Sequence, residues 1–266
     1  MDCTAKKLYH VHGFESRTFL ETFYSDGPKN VFAEESLTFP MEKIHQYLNA
    51  ANIKGEVALD VCIGPVVLFL NSACEFFKDI YLLKFKESCS MEVNRWLNTR
   101  TGAFNWSHTS AFVSELEGKY GQHEEKEIRM KTAIKQIVQC DIDKENITDP
   151  VVLPLADCLI SCVVLDFISR NQDEFVTYLR KFVKLLKPEG HILLVGMLNA
   201  TFVTIGQDVF HVFKYDEDFI RNVLVGEGFT IDQCDVLPRN AVSDLIDHKA
   251  GIFIAAHREK GSKPVC

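Results

Sequence analysis

No apolar run in this sequence reaches the roughly 18 to 20 residues that a membrane span needs. The first twenty residues, MDCTAKKLYHVHGFESRTFL, also lack the apolar stretch and small-residue cleavage site of a secretory signal, so a cytoplasmic protein is expected. There is no Cys-x-x-C pair. The nine cysteines, an odd number scattered from Cys3 to Cys266, fit reduced thiols better than a disulfide framework or a zinc site. The sequons at Asn105, Asn146 and Asn199 therefore carry no weight. There is no Lys/Arg-rich run, and Asp plus Glu outnumber Lys plus Arg by 37 to 29, for a net charge of −8. A nucleic-acid or anionic-membrane partner is thereby excluded, because either needs a positive patch to neutralise phosphates.

What is present is an ordinary globular composition, 47% hydrophobic and 25% charged, with no shift along the 266 residues that would divide the chain. A single domain over 1–266 is expected, with an N-terminal arm over 1–55 and a sheet core over 56–266. From Glu56 onward, short apolar runs alternate with helix-patterned segments, the signature of βα units in a mostly parallel sheet. Strands are predicted at Glu56–Val61, Ile80–Leu83, Ala156–Val164, His191–Leu198, Phe229–Val236 and Gly251–His257. Helices are predicted in VVLFLNSACEFF after Pro65, near Met91–Leu97, over Glu124–Val138 and over Asp173–Lys187, the last with Phe175, Leu179, Phe182, Val183 and Leu186 inward. The arm carries two further helical pieces, Thr18–Tyr24 and Pro40–Ala51, the second with Pro in its first turn.

Two junctions bear on chemistry. The first strand ends in Asp60-Val61-Cys62-Ile63-Gly64-Pro65, and a Gly-containing turn from strand to helix brings backbone N–H groups close to a nucleotide-like ligand. The second is Leu185-Leu186-Lys187-Pro188-Glu189-Gly190 leading into HILLVGML, which closes a helix and starts a buried strand. His10 and His12 form an H-x-H, but no acidic or thiol partner recurs at ligand spacing, so no metal is expected. Cys158 and Cys162 share one strand face and read as buried apolar residues.

Together, the D-x-x-x-G-P junction and the L-L-K-P-x-G strand start are identified as the framework of class I methyltransferases. Over almost its whole length the chain resembles the nicotinamide, phenylethanolamine and indolethylamine N-methyltransferase family. The resemblance rests on FLETFYSDG, LDVCIGPVVLFLNSACEFFKDI, WLNTRTGAFNWS, KQIVQCDI, VVLPLADCLIS with Leu165-Asp166, LLKPEG and the terminal GIFIAAHRE. It implies a Rossmann-like α/β fold: a seven-stranded, mostly parallel sheet with helices on both faces, the last strand antiparallel and a helical N-terminal cap. It also implies S-adenosylmethionine as cofactor and a small amine or pyridine as acceptor; a monomer is expected.

The resemblance places Asp60, Cys62, Gly64, Pro65, Lys84, Phe85, Cys89, Asp141 and Ile142 around the cofactor, and Asp166 and Tyr24 near the acceptor. Several of these depart from the family's pattern. Cys62 replaces the first glycine of Gly-x-Gly-Pro, and a side chain at a left-handed position costs about 1–2 kcal/mol. Lys84 replaces the carboxylate that accepts from the ribose hydroxyls; lysine has no acceptor, and it sets a cation near a cationic sulfonium. Cys89 stands for Asn, Gly196 for a second acidic residue, and Phe19 and Phe23 for tyrosines, so rings that would hydrogen-bond can only pack. Three readings follow: an active N-methyltransferase, a non-catalytic descendant kept for ligand binding or structure, and a pocket that Lys84 has turned toward an anionic nucleotide-like ligand.

Overall fold

The computed structural model describes residues 6–258 except residues 29, 52 and 54. Cys3 and Cys266 lie outside the described residues. In chain order the elements begin with α1 (Ser16–Phe23), a π-helical turn (Glu34–Thr38) and α2 (Phe39–Ala50), followed by β1 (Gly55–Cys62), α3 (Leu70–Ala73) and β2 (Phe77–Lys84). Next come α4 (Glu87–Leu97), α5 (Ser107–Leu116), α6 (His123–Ala133), β3 (Ile134–Gln139), β4 (Ala156–Cys162) and α7 (Val164–Ile168). The chain continues through α8 (Gln172–Val183), β5 (Leu186–Leu198), β6 (Phe202–Ile205) and β7 (Asp208–His211), and ends with α9 (Glu217–Gly226), β8 (Phe229–Pro238) and β9 (Ala250–Arg258).

One seven-stranded sheet runs in the order β3-β2-β1-β4-β5-β9-β8. The pairs from β3 through β5 are parallel, whereas β9 lies antiparallel to both β5 and β8. The last strand is antiparallel as the resemblance implies, and it is inserted between β5 and β8. Strand order reverses between β1 and β4, and in an open parallel sheet the carboxyl edge at that switch point is where a ligand sits. Six of the eight β1 residues are buried, because a central parallel strand is covered on both faces and must be apolar throughout.

Local chemistry explains the helix ends. The Asn171 side chain accepts from Glu174 N at the start of α8, Asp216 accepts from Phe219 N at the start of α9, and both helices carry acids in their first turn. Pro40 occupies the first turn of α2 as expected. On α8, Phe175, Leu179, Phe182 and Val183 are buried.

Four expectations need correction. The predicted helix VVLFLNSACEFF forms only the short α3; the apolar residues before it are an irregular buried turn, so burial and not helical periodicity explains the run. The helix predicted over Glu124–Val138 stops at Ala133, and Ile134, Ile137 and Val138 belong to β3, while Ile128 is exposed. Leu186 and Lys187 are strand, since β5 starts at Leu186. The strand predicted at Ala156–Val164 stops at Cys162: Val163 turns with φ 45°, and Val164 and Asp166 sit in α7.

The β6–β7 hairpin was not anticipated. It turns at Gly206, and Lys7 bridges to Phe210 alongside it, with Lys7 N donating to Val209 O and His211 N to Lys7 O. The arm is therefore tied down at its start, and α2 is tied by Tyr47 Oη donating to Asp232 Oδ2 at 2.6 Å. Among the described residues no helix is long and apolar enough to cross a membrane.

An arm held this way should resist proteolysis. Trypsin cleavage after Arg17 should follow the global unfolding equilibrium as urea is added, because that bond lies inside α1. Cleavage at the rate of an unstructured peptide would show that the arm is undocked.

Candidate functional site

The topology brings most of the sequence-derived positions to one place. Asp60 and Cys62 end β1, Gly64 and Pro65 form the turn after it, Lys84 ends β2, Phe85 follows it, Cys89 opens α4, and Asp141 and Ile142 follow β3. All lie along the carboxyl edge of three adjacent strands.

Within that edge Lys84 does not face outward. It is fully buried, and its Nζ donates to Asp60 Oδ1 at 3.3 Å and to Val66 O at 3.0 Å. The pairing follows from register: Asp60 lies opposite Leu82, and Lys84, two residues on, shares that face. Cys62 Sγ donates to the other oxygen, Asp60 Oδ2, at 3.4 Å. Burial pushes the Asp60 carboxyl above its ordinary range, against the pull of Lys84 and Cys62. The reading in which Lys84 offers its charge to an anionic ligand is overturned by this geometry, because the ammonium is inaccessible and already paired.

The arm closes the turn from above. Gly64 adopts φ +61°, and a Cβ there would stand 2.7 Å from the Phe19 ring, so only glycine suits both the backbone and the contact. Its N–H donates to Tyr9 Oη at 3.2 Å. Tyr9 also meets Cys89 Sγ at 3.6 Å, and Ser16 Oγ reaches the same sulfur at 3.4 Å. Phe14 packs between Tyr9 and Phe19, with ring centroids 4.8 and 5.2 Å away.

The remaining cofactor-side positions are divided. Phe85 is buried against Phe182, with ring centroids 6.2 Å apart, and Ile142 is buried with its carbonyl accepting from Lys181 Nζ at 2.7 Å. Asp141 is exposed, and its Oδ1 accepts from Asp143 N at 3.0 Å in a local turn. His12 is likewise used locally, its Nδ1 accepting from Leu8 N at 2.9 Å. Among the described residues no group of three or more His, Cys, Asp and Glu is placed to hold a metal ion.

On the acceptor side Asp166 is buried, and its Oδ1 accepts from Met197 N at 2.9 Å and from Tyr215 Oη at 3.0 Å. Burial raises its carboxyl to about 6, against those two hydrogen bonds. Gly196 makes room for that tyrosine, because a Cβ there would fall on Tyr215 Oη. Asp166, Gly196 and Tyr215 thus form one packed unit. Tyr24 is buried against Phe19 and Trp106, at ring centroid distances of 5.4 and 6.0 Å. Burial, helped by the neighbouring thiols of Cys162 and Cys62, pushes its phenol well up.

Beside Tyr24 lies a cavity of about 70 Å³ between the arm and the strand ends, walled by Phe23, Phe32, Phe39, Met197 and Ile246, with Glu35 and His248 also in its lining. Sequence reasoning missed Tyr9, Glu35, Tyr215 and His248. The signal for Tyr215 was the glycine at 196, which invites a neighbour into the vacated space. For Glu35 and His248 none existed, since 213 residues separate them.

The sheet order and the crowded carboxyl edge define a class I methyltransferase fold. A magnesium protoporphyrin IX methyltransferase from Synechocystis, solved with bound S-adenosylmethionine, superposes with a TM-score of 0.56 at 13% identity, covering 94% of this chain and 93% of that one. A glycopeptide N-methyltransferase solved with the same cofactor gives 0.54 at 10% identity, covering 90% and 96%. The chain belongs to the NNMT/PNMT/TEMT family, whose model matches residues 2–259. It is 29% identical over 256 residues to indolethylamine N-methyltransferase of Oryctolagus cuniculus, covering 96% of each chain. It is 28% identical over 262 residues to nicotinamide N-methyltransferase of Homo sapiens, covering 98% of each, and 30% identical over 255 residues to phenylethanolamine N-methyltransferase of Macaca mulatta, covering 93% and 89%.

Two outcomes follow from the buried charges. Lys84→Met should cost about 3–5 kcal/mol in urea unfolding by leaving Asp60 buried and unpaired, and adding Asp60→Asn should recover most of that loss. For Asp166, the folded chain holds a proton between pH 3.8 and about 6 that the unfolded chain has released, so its contribution to stability is full below that window and is lost as pH rises through about 6. Asp166→Asn should abolish this loss, so the difference between the variant and wild-type stability curves should change by on the order of 3 kcal/mol across the window.

Proposed function

We propose that this chain is a methyltransferase-family protein whose S-adenosylmethionine site has been replaced by packed side chains, leaving a non-catalytic ligand-binding protein. S-adenosylmethionine is the cofactor that the family and its fold neighbours indicate. One observation carries the proposal: the Lys84 ammonium is buried against Asp60 and Val66 O while Tyr9 Oη takes the Gly64 N–H.

The residues do not fit the cofactor. A ribose needs a two-point acceptor at the end of β2, and lysine supplies none. The glycine turn that would approach a ligand is instead approached by Phe19. A buried ammonium also opposes a second cation such as a sulfonium nearby. On the acceptor side, Asp166 is engaged by Met197 and Tyr215, and position 196 offers no carboxylate.

The reading takes the chain as one domain, monomeric and cytoplasmic, with a small molecule and neither nucleic acid nor membrane as its partner. Its net charge of −8 without a basic run supports the last point.

Calorimetry with S-adenosylmethionine and S-adenosylhomocysteine is the direct test. Dissociation constants weaker than about 1 mM, and no methyl transfer to nicotinamide, are expected. Binding in the micromolar range would return the chain to the active enzymes.

A further inference from the structure

Two thiols face each other at the point where strand order reverses. Cys62 closes β1, Cys162 closes β4, and the two are direct partners in the parallel register. Such partners carry their side chains on one face of the sheet, with backbones roughly 4.8 Å apart. That separation lies inside the range of about 4.4–6.8 Å between α-carbons that a disulfide spans. The two sulfurs are already in hydrogen-bonding contact. Among the described residues no other cysteines are register partners: Cys158 lies opposite Ala58 and His191, and Cys234 opposite Ile254.

Their surroundings give the two sulfurs different parts. Cys162 is 4% exposed and is one of the residues lining the cavity beneath the arm, whereas Cys62 is 1% exposed. A water needs about 10–15 Å³ of cavity, and hydrogen peroxide is little larger, so a cavity of about 70 Å³ admits it. Cys62 directs its S–H to Asp60 Oδ2, 3.4 Å away, so its proton has an acceptor when the sulfur attacks. Burial, then the contact with Cys162, push the Cys62 thiol up, and a buried thiol of that kind is inert until a partner sulfur has been activated.

We propose that Cys62 and Cys162 are a reversible redox site, which hydrogen peroxide closes into a disulfide between β1 and β4. Cys162 Sγ attacks one peroxide oxygen, the O–O bond breaks, and the thiol proton leaves with the other oxygen as water, giving a sulfenic acid. Cys62 Sγ then attacks the Cys162 sulfur, the S–O bond breaks, and the Cys62 proton passes by way of Asp60 to the departing hydroxide as a second water. The two thiols together lose two protons and two electrons, and one peroxide becomes two waters. The bond takes from Asp60 the thiol that now donates to it and leaves Lys84 as its partner. The site does not depend on whether the chain binds S-adenosylmethionine.

The test treats the full, reduced chain with hydrogen peroxide in slight excess and reads the intact mass and the unreduced peptides by mass spectrometry. The expected product is lighter by two hydrogens, with Cys62 joined to Cys162, and excess glutathione should return it to the starting mass. Cys74→Ser and Cys158→Ala, which remove the neighbouring thiol on each side, should still form the bond. In Cys62→Ser nothing resolves the sulfenic acid, so capture of Cys162 by dimedone should rise severalfold over wild type. An unchanged mass, Cys162 carried to sulfinic acid without a bond, a bond joining any other pair, or a bond formed only in unfolding urea would overturn the proposal. Each of these is read on the wild-type chain, so none depends on a variant that folds.

Discussion

An ammonium taken fully out of water is tolerated only where a carboxylate and further acceptors surround it. Lys84 meets that condition with Asp60 Oδ1 and the carbonyl of Val66, and the packing of the carboxyl edge follows from it. Because the ammonium draws Asp60 inward, Cys62 can sit at the strand end with its thiol on the second carboxylate oxygen. At the turn above, the Gly64 N–H is satisfied by Tyr9 Oη. One cation at the end of β2 thus links the strand end, the turn after it and the arm into one packed unit.

The same logic operates across the sheet. Where a side chain at position 196 is missing, Tyr215 enters and delivers its hydroxyl to Asp166. At Lys84, Cys62 and Gly196 alike, a neighbour fills the space or pairs the charge. Such matching is expected of a chain whose local preferences agree with its fold.

Much of this architecture was legible in the sequence. The central strands were, because β1, β4 and β5 are apolar runs bounded by turn residues, and only buried parallel strands require that. Boundaries failed where apolar residues serve burial without periodicity, as between Pro65 and Leu70, and where a helix passes directly into a strand at Ile134. The altered positions Cys62, Lys84, Cys89 and Gly196 were visible as departures, but not what compensates them. Lys84 was read as a charge facing a ligand, whereas parallel register turns it onto Asp60. Glu35 and His248 were illegible, because contacts between residues so distant in sequence leave no local pattern.

The tie between Lys7 and Phe210 bears on how the chain is made. Synthesis releases the arm first, yet the hairpin that anchors it belongs to the last quarter of the sequence. Phe14, whose ring packs on Phe210 with centroids 5.7 Å apart, therefore leaves the ribosome well before the hairpin that covers it. Exposed aromatic segments in incomplete chains associate readily with one another and with chaperones. The contact that fixes the start of the arm is thus supplied by a segment made about 200 residues after it.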